Sequence, residues 1–237
     1  MTKKTTTICC AVALLATTAA TPALSQSKNF AGPSIAIGGG YNSAKVNSTE
    51  TVVDLQTRSD ITVGDTATVK FGDNNFNALI DLSYGIPIDN NFVLSIGATY
   101  DLTDTEVEAL NSTEAGGDTV SIKAKLKNHH SLYIQPTYLM NNNTGIFAKL
   151  GYHKAKGNLS FNDSTLDAFS LSKNLDGWGY GIGAKTFINN NTYLQFEGSL
   201  VKYKSKSGDI INSDDDTFNE SLKPEILSAL ISVGYKF

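Results

Sequence analysis

His129, His130 and Ser131 stand together in K-N-H-H-S-L, and the H-x-S spacing sets the His129 imidazole and the Ser131 hydroxyl on one face of an extended strand. A serine becomes a nucleophile when a base lies within hydrogen-bond reach and an acid orients that base. No carboxylate can be assigned the orienting role from the sequence, so the pair is a motif without its context. His153 reads as a solvated residue near a rim. Asp209 and the run Asp214, Asp215, Asp216 suggest a second chemistry, divalent cation binding, but the ordered D-x-D-x-D-G spacing is missing and a solvated acidic loop is the expectation. No catalytic, cofactor-binding or metal site is therefore expected. A third group, Asp81, Asp101, Gln135, Lys149, Lys185 and Glu197, is scattered along the chain yet always falls opposite an apolar face.

The elements that carry these residues alternate with period two, the mark of strands with one apolar side. The last twelve residues show it most clearly: Leu227, Ala229, Ile231, Val233, Tyr235 and Phe237 share one parity, and only Leu230 breaks the polar set of Ser228, Ser232, Gly234 and Lys236. Seven further strands read in order. They run through Pro33 to Asn42, Phe76 to Ile86, Phe92 to Leu102, a stretch from Val120 to Met140, Ile146 to His153, Trp178 to Phe187, and Tyr193 to Leu200. The fourth is about twice the 9 to 11 residues that a membrane strand needs. Its parity, set by Val120, Ile122, Ala124 and Leu126, reads on into Leu132, Ile134, Pro136 and Tyr138, with the first half clear of a membrane.

Connections alternate between long and short. Ser43 to about Asn75, Thr103 to about Asn128, Lys154 to Gly177 and Lys202 to Lys223 are long and polar, whereas Pro87 to Asn91, Asn141 to Thr144 and Asn189 to Asn191 are tight turns. An even strand number with short turns at one end and long loops at the other is the pattern of a transmembrane β-barrel, and neither a sandwich nor a lipocalin divides its loops this way. The turns also head a weak repeat, in which Asp89-Asn90-Asn91, Asn142-Asn143 and Asn190-Asn191 each lead to a glycine and a tyrosine.

Lys3, Lys4, the apolar run Ile8 to Ala20 and the small residues around Ala23-Leu24-Ser25 describe a signal peptide over residues 1–25, leaving 26–237 as one barrel domain. Both cysteines, Cys9 and Cys10, fall in that segment and precede most of its apolar core, so neither a disulfide nor a lipid anchor is expected. The remaining 212 residues hold 17 basic and 23 acidic side chains with a single arginine, Arg58, which gives no footprint for nucleic acid.

The G-G-G-Y of the first strand, Y-G-I-P-I-D-N-N, G-W-G-Y-G-I-G-A-K-T-F and the closing G-Y-K-F together resemble the eight-stranded outer-membrane barrel superfamily, the opacity-like surface antigens and barrels of the outer-membrane protein A and X type. The resemblance spans residues 26–237 and implies an all-β, antiparallel, up-and-down transmembrane barrel in the outer membrane, with short periplasmic turns and long extracellular loops. It implies that Tyr235 and Phe237 form part of the signal read by the barrel-assembly machinery. It also brings in small barrel hydrolases that remove acyl chains from lipid A, but K-N-H-H-S-L does not match their pattern.

With the apolar faces toward lipid, the polar faces fill a lumen just wide enough for side chains. Asp81, Lys149, Lys185 and Glu197 are expected to form a salt-bridged network there, with Lys185 and Glu197 paired across the Asn189 to Asn191 turn and with Gly179, Gly181 and Gly183 leaving room for long neighbours. Tyr84, Phe92, Tyr138, Tyr235 and Phe237 form one aromatic girdle; Tyr41, Tyr100, Tyr152, Trp178 and Tyr180 form the other. Lys123, Lys125, Lys127 and the Lys202, Lys204, Lys206 series lie where anionic headgroups of lipopolysaccharide would be. The expected role is that of a monomeric, non-catalytic surface antigen or adhesin-like protein that supports the envelope and offers its loops to a host or environmental ligand. A narrow ion or small-solute channel and a lipid-modifying enzyme are the alternatives.

Overall fold

Period-two alternation can be satisfied only if one side of every strand meets an apolar phase and the other a shared interior, and the computed structural model closes the chain into that arrangement. It describes residues 27–54, 62–113, 119–163, 169–211 and 217–237. The proposed signal segment, with Cys9 and Cys10, and also Arg58 and Asp214 to Asp216, lie outside the described residues.

A short 3₁₀ turn, Ser27–Phe30, precedes ten strands: β1 (Gly32–Asp54), β2 (Thr66–Pro87), β3 (Phe92–Asp101), β4 (Thr105–Thr113), β5 (Thr119–Leu139), β6 (Thr144–Asp163), β7 (Phe169–Phe187), β8 (Thr192–Tyr203), β9 (Lys206–Ile211) and β10 (Thr217–Lys236). They make eight staves. β4 continues the stave of β3 and pairs with β5, and β9 continues that of β8 and pairs with β10. Neighbours are antiparallel throughout, and β1 pairs with β10 from Ser34↔Lys236 onward to close the barrel. The closing strand therefore joins the first as its alternation predicts, with Ile35 opposite Tyr235 and Ala44 opposite Ile226.

The three tight turns share one device. The side-chain oxygen of Asp89, Asn141 or Asn189 accepts from the backbone N–H two residues on, at 2.7, 2.9 and 3.0 Å. An Asx turn of this kind explains why Asp and Asn recur at these corners. At the other end the structure departs from the sequence reading, because most of the four long segments are strand and not loop. β1, β2, β5, β6, β7 and β10 are each 19 to 23 residues long and run well past the apolar band. Beyond that band the outer face is polar, so the hydrogen-bond ladder continues without the outward apolar parity that marks the strands below.

β5 holds a second departure. Leu132 is 68% exposed on the outer wall, yet Ala124 and Leu126, which share its parity, pack inward. The inversion occurs at a register shift between Lys127 and His130, where Asn128 adopts φ 52°. One extra residue in a bulge moves every following side chain to the opposite face, and asparagine tolerates the left-handed conformation better than most residues.

Candidate functional site in the barrel lumen

The inward positions form three layers. Nearest the turns, Phe30, Ala36, Val93, Leu139, Phe187 and Tyr193 make an apolar cluster in which Val93 and Leu139 are 0% exposed. Phe30 enters it from the 3₁₀ turn and meets Phe187 edge-on at 5.0 Å between ring centroids. Near the loop end, Ala44, Val107, Ala155, Leu175, Val201, Tyr203 and Ile226 make a second apolar cluster. Between them lies the charged layer. Along β8 the sequence Tyr193, Gln195, Glu197, Ser199, Val201, Tyr203 passes through all three in order.

Three of the sequence-selected residues meet in the middle. Glu197 pairs with the Lys149 ammonium at 2.5 Å, and Lys149 also stands 3.6 Å from Asp81. The Tyr133 hydroxyl donates to Asp81 at 2.6 Å, the Lys149 ammonium sits 4.3 Å above the Tyr133 ring, and Gln195 donates to Glu197 at 3.3 Å. The cation is thus matched by two carboxylates and an aromatic face, the arrangement a desolvated charge requires.

Lys185 does not pair with Glu197. Across the turn the register sets Lys185 opposite Gln195 and Glu197 opposite Gly183. Lys185, buried, instead places its ammonium 4.4 Å from the centroid of the Tyr193 ring, with no carboxylate within 4.0 Å among the described residues. The expected pair across the turn does not form, because glycines on β7 let Glu197 reach past its immediate neighbour to Lys149. A methyl group at Gly181 would stand 3.3 Å from Glu197 Oε1 and 3.4 Å from Lys149 Cβ, and one at Gly183 would stand 2.9 Å from Phe147 Cε1. These two glycines, with Gly179 beneath the His153 ring, provide the room that their place in the strand predicts.

The histidines form a second chain above this cluster. His129 Nδ1 lies 2.7 Å from Asp101 Oδ2, and its Nε2 lies 2.9 Å from His153 Nδ1, with the two rings edge to edge, 5.1 Å between centroids and 14° between planes. Asp101 is therefore the carboxylate partner that the sequence did not reveal, and His153 is a lumen residue and not a solvated one. Asp101 and His129 both fall on the inward parity, and only the register that pairs Tyr100 with His130 makes them neighbours. Ser131 Oγ bonds Thr99 Oγ1 at 2.6 Å. Both nitrogens of His129 are engaged elsewhere, so the motif does not assemble a serine and its base.

The charged layer encloses a cavity of about 40 Å³ lined by residues including Asp81, Asp101, His129, Lys149, His153 and Glu197. That exceeds the ~10–15 Å³ a cavity needs to hold a water. No group of three or more potential metal ligands is present among the described residues.

On the outer wall, Tyr41, Tyr100, Trp178 and Tyr180 are exposed toward the loop end and Tyr84, Tyr138, Tyr235 and Phe237 toward the turn end. Tyr235 and Phe237 contact edge-on at 5.3 Å. Above the upper girdle Asp176 accepts from the Tyr152 hydroxyl at 3.1 Å and pairs with Lys204 at 2.6 Å and Lys206 at 3.6 Å. The Lys204 hydrogen bond leads the effects that hold the Asp176 carboxyl below the usual carboxylate range. Lys125 pairs with Glu106 and, at 3.4 Å, with Asp104, and Lys202 lies 3.9 Å from Glu225. Several of the lysines expected to face lipid headgroups are thus engaged by carboxylates of neighbouring strands.

The family model described as "Outer membrane protein beta-barrel domain" matches residues 10–237. No curated protein matches the chain. Among solved structures, the outer membrane protease OmpT from Escherichia coli is 11% identical with a TM-score of 0.54, covering 87% of this chain and 97% of its own. The outer membrane protein OprG from Pseudomonas aeruginosa is 14% identical with a TM-score of 0.53, covering 87% and 96%. Ail, the attachment invasion locus protein of Yersinia pestis, is 15% identical with a TM-score of 0.39, covering 87% and 99%. For OmpT and OprG, at these identities, the likeness is one of fold alone.

Proposed function

Because the chain belongs to the outer membrane protein β-barrel domain family, we propose that it is a non-catalytic surface protein of the outer membrane. Its wall is the anchor, and the strand extensions and connections outside the membrane carry its interactions. The observation that supports this reading is the layering of the lumen: an ion-paired layer with a cavity of about 40 Å³ lies between two clusters of buried apolar side chains. A solute path would have to displace Val93 and Leu139 on one side and Val201, Tyr203 and Ile226 on the other. An eight-stranded barrel filled by its own side chains gains stability, and a continuous water column is what it lacks.

The enzyme alternative loses its motif in the same layer, where His129 serves Asp101 and His153 and Ser131 serves Thr99. In this reading the partners are outer-membrane lipids and lipopolysaccharide around the wall, the assembly machinery at Tyr235 and Phe237, and a host or environmental ligand at the outer rim, with the barrel acting as a monomer. The test shortens the connections β1–β2, β4–β5, β6–β7 and β9–β10 and measures binding to cells or matrix proteins. Binding lost while heat-modifiable gel mobility persists supports the proposal, and unaltered binding contradicts it.

A further inference from the structure

The upper part of the barrel presents an inversion. Its outer wall stands in water, yet its interior is apolar. Ala44, Val107, Ala124, Leu126, Leu175 and Ile226 face inward around a cavity of about 120 Å³. If these side chains served only as a core for the strand extensions they would close on one another, because interiors pack to crystal density and a void costs stability. The space remains, and it is distinct from the polar cavity below. Ile226 lines both and acts as the partition. An apolar cavity of this order stays dry and takes up an apolar ligand, as a ~150 Å³ void admits benzene, and eight strands can enclose one small ligand.

The lining carries a bias of charge. Lys45, Lys125, Lys173 and Lys206 contribute to it against a single carboxylate, Glu225. Lys125 is matched by Glu106 and Asp104, Lys206 by Asp176, and Glu225 by Lys202. Lys173 makes no ion pair among the described residues. It lies two residues before Leu175 on the same strand parity, opposite Gly157 in the register, and is exposed. Asn158 lines the same space with a buried carboxamide oxygen that has no donor. Turning that amide about its last torsion presents its N–H groups to an anion.

We propose that the extracellular half of the barrel is a cup for a small amphiphilic carboxylate, whose short apolar tail fills the space between Ala44, Leu126, Leu175 and Ile226 and whose head meets Lys173 at the mouth. The cup is independent of the surface role proposed above, since it needs neither the connections nor a second macromolecule.

The experiment places the full-length mature chain in lipid nanodiscs, labels leucine and isoleucine methyl groups, and titrates hexanoate and, separately, 1-hexanol. Hexanoate is expected to shift the Leu126, Leu175 and Ile226 methyl resonances saturably. Lys173→Gln should weaken hexanoate about two- to fivefold, the range of one exposed ion pair, and leave 1-hexanol unchanged. Ala44→Leu should abolish both by filling the space; if that variant fails to fold, the comparison of hexanoate with 1-hexanol in Lys173→Gln decides alone. Unmoved methyl resonances overturn the proposal. So does 1-hexanol binding the parent as tightly as hexanoate, or Lys173→Gln weakening both equally.

Discussion

Glu197 on β8 reaches across β7 to Lys149 on β6, passing over Gly181, and leaves Lys185 on its own hairpin without a carboxylate. One cation thereby holds two acids from different staves, because Asp81 on β2 closes on the same ammonium. The pairing ties together strands that are not neighbours in the sheet, which backbone hydrogen bonds do not do.

Lys149→Met should therefore be among the most damaging single changes in the lumen. It leaves Asp81 and Glu197 facing each other uncompensated, and breaking a buried pair costs about 3–5 kcal/mol. Urea unfolding in lipid, followed by the shift between folded and unfolded gel mobility, measures the loss. Glu197→Gln in the same background should recover part of it, since one of the two stranded charges is then gone.

Phe30→Ala should destabilise the barrel by about 3 kcal/mol, at the lower end for a buried phenylalanine because its pocket borders the turn end. The same unfolding assay applies. Tyr235→Ala, whose ring lies on the outer wall, should cost less in that assay.

Asn128→Val should cost about 1–2 kcal/mol, the penalty for a side chain with a Cβ branch in the left-handed region, whereas Asn128→Gly should be tolerated. Loss of the bulge would also carry Ala124 and Leu126 out of the lumen. A Leu126 methyl resonance that shifts in the valine variant and not in the glycine variant would show it.

How much of this was legible beforehand follows from the physics of each part. The band that meets lipid wrote its alternation plainly, so Leu227 to Phe237 and its partner strand were found with their outward faces correct. The apolar layers were missed although their signal was present: Phe147, Phe187, Tyr193 and Val201 all fall on the polar parity, where an aromatic or β-branched residue has no reason to be unless it is a plug. Asp81, Asp101, Lys149, Lys185 and Glu197 could be picked out as lumen residues, but not their pairing, because partner choice depends on register and on which neighbour is glycine. The link between Asp101 and His129 depends on register, since both fall on the inward parity and only the pairing of Tyr100 with His130 makes them neighbours; what one residue of bulge hid was the inward turn of Ala124 and Leu126.

The outer rim should respond to acid through Asp176. Its folded carboxyl titrates below the ordinary range because Lys204 hydrogen-bonds it, and the charged form is therefore favoured by folding. The contribution is fully present above the ordinary carboxylate pKa and is lost as pH falls through the lowered folded value. The unfolding midpoints of the parent and of Asp176→Asn should consequently differ near neutrality and converge in strong acid. A difference that grows on acidification would contradict the assignment.

The two apolar layers are the centre of the account, and conductance across a planar bilayer tests them most directly. The folded parent chain is expected to give no steady single-channel current. A stable ohmic current in the parent, altered in size or ion selectivity by Glu197→Gln, would contradict the account, since ions would then be crossing the layer that Val93, Leu139, Val201 and Tyr203 are held to close.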